Sequence, residues 1–409
     1  MRTTSLTVAA GARVRPRLTL GLLSAQHALI HAQTALLPLV FIEIASTFRV
    51  GPQAIGLLVA TASVSAGLVQ LSFGSLTRRL SRRAMLGSGG LLFGAATAGM
   101  AAASGWAPFF ATGVLSRLGS SPQHAVGNAL LAEQFPARRR GLAISLHVAL
   151  ANVVPVAVPL VGSWLIVTAG WQAALLAVGL PALVVAVAIL LLVRETGTDR
   201  ATARGAGSTA AAFRALAADR DLRWLFAASS VAAAGRGQGV LVTFLPLYLA
   251  LQLHLPATTV ALMYTLLLAG SVPAPIIAGW VSDRIGHKTV LLAAYLLGAA
   301  STGLLVVAGT SVPFVWVAVG FMGAFVFEES ALLQALLADV ARPALRDVAF
   351  SAYFTLMFVV SAAWQATIGM IIGALGDGRG YAVAFSLMAA SFLAAALVAL
   401  PIRAPEAEG

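Results

Sequence analysis

The sequence predicts an all-α membrane protein with twelve transmembrane helices in two pseudo-symmetric six-helix bundles. Three observations predict this. Mean hydropathy is +0.92, with 59% hydrophobic and only 10% charged residues, which excludes an ordinary soluble globule. Apolar runs of about 20 residues, enough to cross a hydrocarbon core, recur along the chain. A loop rich in glycine and charge occurs twice at an offset of 205, half of the 409 residues, so the chain reads as two like halves.

Taken in order, the first six apolar segments run roughly 18–46, 53–76, 84–104, 107–134, 140–168 and 172–193. The second six run roughly 224–252, 257–281, 288–308, 312–338, 347–375 and 380–402. The expected domains are therefore a bundle over 1–193, a polar linker over 194–223 and a second bundle over 224–409. Part of the linker, 210–218, reads as a short helix on the membrane surface. The first apolar run follows Arg2, Arg13, Arg15 and Arg17 without a small-residue cleavage site, so it reads as a retained helix rather than a signal peptide.

The arginines set the topology. With both termini, the linker and the even-to-odd loops on one side, that side holds 22 of the 26 Lys and Arg residues, and only Arg49 and Arg379 lie opposite. By the positive-inside rule that side is cytoplasmic. The net charge of +12 is thus a property of cytoplasmic loops, not of a nucleic-acid surface. All cations but Lys288 are arginine, which points to a GC-rich bacterial genome and so to the bacterial inner membrane. There is no cysteine, hence no disulfide framework or thiolate metal site.

An ionisable residue in the bilayer core costs about 2.5–3.5 kcal/mol and needs a reason. Segment 1 carries His27 and His31, segment 4 Arg117 and His124, segment 5 His147, segment 7 Arg236 and segment 10 Glu328-Glu329. The repeat offset maps His31 onto Arg236 and His124 onto Glu329, so segments 1 and 7, and 4 and 10, carry matched polar positions. Arg236 stands in Gly235-Arg236-Gly237-Gln238-Gly239, where the glycines weaken the helix and expose backbone groups. A guanidinium there favours an anionic ligand, or pairs with Glu328 or Glu329. Only one of these two glutamates can face a central cavity, since neighbours on a helix diverge by about 100°. His27 and His31 share one helix face at metal-ligand spacing, but the sequence places no third ligand, so no metal site is assigned. His147 and His254 read as structural. Glu133, beside Arg138–Arg140, and Asp339, beside Arg342, read as surface gate pairs.

The stretch Ala278–Leu291, AGWVSDRIGHKTVL, resembles the G-x-x-x-D-R-x-G-[RH]-K loop of the major facilitator superfamily. Its first copy is FGSLTRRLSRRAML, in which Gly74 matches Gly279 and Arg79 matches Arg284, while Arg78 and Ser81 replace Asp283 and Gly286. Within that superfamily, His27, Leu29 and Leu36-Leu37-Pro38 are similar to the H-x-L-N-D-x-x-x-x-L-L-P stretch of the fosmidomycin-resistance group of drug exporters. Gly119–His124 resembles that group's G-S-[AS]-x-F-H-P stretch, and Arg139–Ser145 its R-x-G-x-A-x-S stretch. His31 replaces the group's acidic residue. Of the antiporter pattern G-x-x-x-G-P-x-x-G, only Pro159 and Gly162 remain in segment 5.

The resemblance implies a secondary transporter working by alternating access, with proton-coupled efflux of a small polar or anionic molecule. Candidate substrate contacts are Arg236, Arg117, His27, His31, Gln33, His124 and Gln238. Candidate proton carriers are Glu328, Glu329 and His31. The expected cytoplasmic gate is Gly74, Gly279, Asp283, Arg284 and Gly286. The expected partners are substrate, protons and lipid; no nucleic acid, cofactor or second subunit is expected. Rival readings are a proton-coupled importer of an organic anion, a metal-ion transporter and a membrane sensor. Against a membrane enzyme, the chain has no G-x-S-x-G, H-E-x-x-H or P-loop.

Overall fold

The computed structural model describes residues 14–77, 79–195, 214, 216–342 and 346–403, and the described residues are helical with no strand. The helices are α1 (Pro16–Thr47), α2 (Pro52–Leu76), α3 (Arg82–Ala101), α4 (Trp106–Ser120), α5 (Pro122–Gln134) and α6 (Ala137–Leu192). They continue with α7 (Arg220–Ala232), α8 (Val242–Leu247), α9 (Ala257–Gly270), α10 (Pro273–Ile285), α11 (His287–Ala308), α12 (Val312–Phe325), α13 (Glu329–Val340), α14 (Arg346–Leu375) and α15 (Asp377–Ala399).

Nine of the described helical stretches are long and apolar enough to cross a membrane. One of them, within α6, turns back at Gly170, whose φ of 85° only glycine adopts readily, and so makes segments 5 and 6. Segment 4 (α4 and α5) and segment 7 (α7, α8 and the flanking π-helical turns) are broken midway and complete the twelve. Large apolar side chains point outward on the segments, including Trp164, Val184, Leu191 and Val307, the last 84% exposed. Such a belt is stable only against hydrocarbon.

The two halves repeat in backbone detail. The two described non-glycine residues with positive φ are Arg49 and His254, each at 52°, and they lie 205 residues apart in the turns that follow segments 1 and 7. Non-glycine residues seldom adopt this conformation, so its recurrence at the repeat offset marks a duplicated turn.

Glycines set the closest approaches. A Cβ on Gly270 would lie 1.8 Å from the Gly323 carbonyl oxygen, so segments 8 and 10 cross backbone to backbone. Between halves, segment 2 packs on segment 11, segment 5 on segment 8 and segment 1 on segment 7. Gly56 meets the Gln365 carbonyl and Gly369, and Ser163 Oγ donates to the Ala257 carbonyl. These contacts close the halves on each other at the end that carries the 48–51 and 253–256 turns.

Some expectations change. Segment 7 begins at Arg220, four residues before the expected start, because Asp219 caps the helix by accepting from the Asp221 and Leu222 amides. Most of the expected linker lies outside the described residues, and of its surface helix only Arg214 and 216–218 are described, as helix.

Candidate functional site

Three intramembrane helices break at about mid-span, and the polar residues gather at the breaks. In segment 7 the chain leaves the helix after Ala232, Arg236 is extended, and the path resumes as a π-helical turn at Gly237–Leu241. In segment 10 the helix stops at Phe325 and restarts at Glu329. The breaks meet: the Gly237 amide donates to the Val326 carbonyl at 2.9 Å. Segment 4 is interrupted at Ser121-Pro122, where Pro122 lacks the amide that would continue the hydrogen-bond ladder although Ser121 keeps right-handed helical angles.

Across the first junction Arg236 and Glu329 form a bidentate ion pair. Nε donates to Oε2 and Nη2 to Oε1, both at 2.7 Å, and both side chains are buried. Two further donors are used: Nη1 reaches the Met357 sulfur at 2.8 Å and Nη2 the Ser229 carbonyl at 3.2 Å. Most of the Arg236 guanidinium is therefore engaged by protein groups in this conformation. Glu328, in the break just before the restarted helix, takes no part in this pair. It lines a groove of about 620 Å³ between segments 8, 9 and 10 with apolar residues such as Pro273, Val281 and Ala294. Its Oε2 is buried without a hydrogen-bond partner.

The first half carries a different chemistry at the matching place. His27, His31, His124 and His147 form one cluster. His27 stands 4.6, 4.7 and 4.5 Å, ring centroid to ring centroid, from His31, His124 and His147. His31 and His124 are 6.0 Å apart. His27 and His147 are fully buried, His31 is partly exposed and His124 is exposed, so the cluster runs from the protein interior to an accessible surface. Among the described residues neither ring nitrogen of His27 has a hydrogen-bond partner, at a cost of about 1–3 kcal/mol for each buried polar group left unsatisfied. His147, which reads as a lone structural histidine in the sequence, belongs to this cluster, because segment 5 packs on segment 1.

Arg117 lies one heptad before His124, on the same face of segment 4. Its guanidinium is 6.0 Å from the ring of Phe358, on segment 11 of the other half, so it faces the space between the halves. It also lies close enough to act electrostatically on His31 and His124. Among the described residues no carboxylate pairs with it. Gln33 is buried and donates both amide hydrogens to Thr97 and Ser116, each at 2.7 Å, so it ties segments 1, 3 and 4 together. The side chain of Gln238 lies outside the described residues.

At the loop ends, Gly286 has φ 92° and joins α10 to α11, which a side chain there would strain. Gly279, expected to allow close packing, has no atom within 4 Å of a built Cβ. Arg284 stacks on Trp280 of its own helix at 3.7 Å and donates to the Trp280 carbonyl, so in this state it makes no bridge between helices. Asp283 sits 3.5 Å from His287, and His287 also meets Asp339 at 2.6 Å. Glu133 pairs with Arg82. Arg82 and His287 are 205 residues apart, so the two halves carry matched pairs between the start of segment 3 or 9 and the end of segment 4 or 10. Arg82 and His287 come from neighbouring helices, partners that sequence proximity does not suggest. For Gly74, only the helical backbone is described.

The profile of the Major Facilitator Superfamily matches residues 23–365 and 237–409. The chain belongs to that superfamily. Solved structures agree on the fold. A bacterial homolog of the human lysosomal transporter Spinster, inward-facing and unoccupied, is 15% identical with a TM-score of 0.74, over 95% of this chain and 96% of that one. A mutant of the nucleoside transporter NupG is 12% identical with a TM-score of 0.77, over 95% and 100%. The xylose transporter XylE from E. coli, inward open, is 14% identical with a TM-score of 0.74, over 97% and 98%. No curated protein sequence matches the chain. Superfamily members of this architecture transport by alternating access, and the chain is a multi-pass membrane protein of that kind.

The ionisable residues that gather at the helix breaks and in the histidine cluster are ones that the sequence singles out. It missed Ser229, Met357 and Phe358, whose roles come from packing and carry no sequence signal. It undervalued His147, whose position in an otherwise apolar segment was signal enough.

Proposed function

We propose that this transporter moves a small polar or anionic molecule across the bacterial inner membrane, coupled to protons, with both termini in the cytoplasm. The observation that carries the coupling is the Arg236–Glu329 pair across the breaks of segments 7 and 10. An anionic substrate competes with Glu329 for Arg236. Glu329 can surrender the guanidinium without leaving a bare buried charge only if it takes a proton. Substrate and proton then bind together, which is symport. Arg117, unpaired and facing the same central space, is the first contact for the substrate. The pair thus favours proton-coupled uptake of a small organic anion. The resemblance in segments 1, 4 and 5 instead supports exchange and efflux, for which proton and substrate must exclude each other; Glu328 is then the proton carrier.

The two readings separate in membrane vesicles. Symport predicts that adding the right organic anion to right-side-out vesicles, without an imposed gradient, makes the medium more alkaline. Exchange predicts recovery of a pH-sensitive dye when the compound is added to respiring inside-out vesicles. A panel of small carboxylates and phosphonates serves both assays. Dye recovery without alkalinisation overturns symport. Silence of folded protein in both assays overturns proton coupling.

A further inference from the structure

We infer that His27, His31 and His124, with His147 beside them, form a binding site for a divalent transition-metal ion of the zinc class. The site does not depend on the direction or coupling of transport.

Three facts carry it. Each of His27, His31 and His124 offers a ring nitrogen, and these atoms lie within 4.8 Å of one another. Tetrahedral zinc with bonds of about 2.0–2.1 Å needs nitrogens about 3.4 Å apart, so each ring must swing by less than about 1 Å. The second fact is the idle state of these nitrogens. His27 is 1% exposed, and among the described residues both its nitrogens lack a partner, as does Nε2 of His147. A buried imidazole aimed at other imidazoles and bonded to nothing is stabilised by an ion that all of them can ligate. The third is orientation. Ser24 Oγ lies 3.2 Å from His147 Nδ1, and this contact leaves Nε2 directed away from the serine. The contact holds the ring of His147 with its centroid 4.5 Å from that of His27, one of the three ligands.

The donor set selects the ion. Imidazole nitrogens without a carboxylate suit zinc, copper or nickel and disfavour magnesium and calcium, which need oxygen. Exposed His124 gives the ion a way in. The neighbouring Arg117 adds positive charge, so an open coordination position takes an anion such as hydroxide, chloride or a carboxylate.

The test uses the full chain purified in detergent, without a polyhistidine tag and stripped of metal. Equilibrium dialysis against zinc is expected to give one ion per chain, and cobalt is expected to show a ligand-field band of histidine coordination. His31→Gln and His124→Gln each lower the affinity by at least about tenfold. His254→Gln, outside the cluster, leaves it unchanged. Zinc raises the Tm of the parent chain and not of His124→Gln, a variant at an exposed position that keeps the core intact. Binding that survives both His31→Gln and His124→Gln, or no binding by the parent chain, overturns the site. Because binding is read without flux, a failed vesicle assay leaves this result standing, and the reverse holds too.

Discussion

Arg236 and Glu329 meet through two hydrogen bonds of 2.7 Å between the broken middles of segments 7 and 10. Subtracting 205 from each number gives His31 and His124, which face each other at 6.0 Å between segments 1 and 4. The duplicated scaffold thus presents two sites at equivalent positions with different chemistry: a closed ion pair in one half and a cluster of imidazoles in the other.

The ion pair should be strongly non-additive. Arg236→Ala or Glu329→Ala leaves one buried charge alone and should cost about 3–5 kcal/mol of stability. Arg236→Met combined with Glu329→Leu should recover most of that loss in a thermal unfolding assay, while vesicle transport stays abolished. A double variant no more stable than either single one would show that the pair is not a closed unit.

Arg117 should behave otherwise. Since no described carboxylate depends on it, Arg117→Gln should leave the Tm nearly unchanged and cut transport by at least about tenfold. Such a change corresponds to about 1.4 kcal/mol or more of lost substrate interaction. Full transport by this variant would remove Arg117 from the substrate path.

Two glycines of segment 8 should part company. Gly270→Ala drives a methyl group into the Gly323 carbonyl, where the overlap cannot be relieved by rotating a side chain, and should destabilise by about 1–3 kcal/mol or more. Gly279→Ala meets nothing within 4 Å and should be neutral, or stabilising by up to about 1 kcal/mol through helix propensity. Melting temperatures of the two variants decide the matter.

Orientation can be read by chemical labelling, because the chain has no cysteine. Ser104→Cys, in the turn after segment 3, should react with a membrane-impermeant maleimide in intact cells. Ser81→Cys, before segment 3, should react only in inside-out vesicles. The opposite pattern would reverse the topology that the arginines indicate.

The twelve segments were legible in the sequence because membrane insertion is a local rule. A run of apolar residues long enough for the hydrocarbon core declares itself without knowledge of its neighbours. The repeat was legible for a similar reason, since loop residues at a fixed offset need no contacts to be seen. The turn at Gly170 and the break at Gly235–Gly239 followed from residues that cannot hold a helix.

Partners were a different matter. Whether Arg236 stayed free for a ligand or closed on Glu329 depended on two helix breaks meeting, 93 residues apart. His147 read alone in segment 5 and became part of a cluster only when segment 5 packed on segment 1. Glu133 pairs with Arg82, 51 residues away and on another helix. The sequence by itself determined which residues lie in the membrane, how many segments cross it and where polar groups occur at a cost. Only the tertiary structure decided which of those groups satisfy one another. Insertion depends on composition summed along one helix, whereas a hydrogen bond or ion pair depends on distances of a few ångströms between helices.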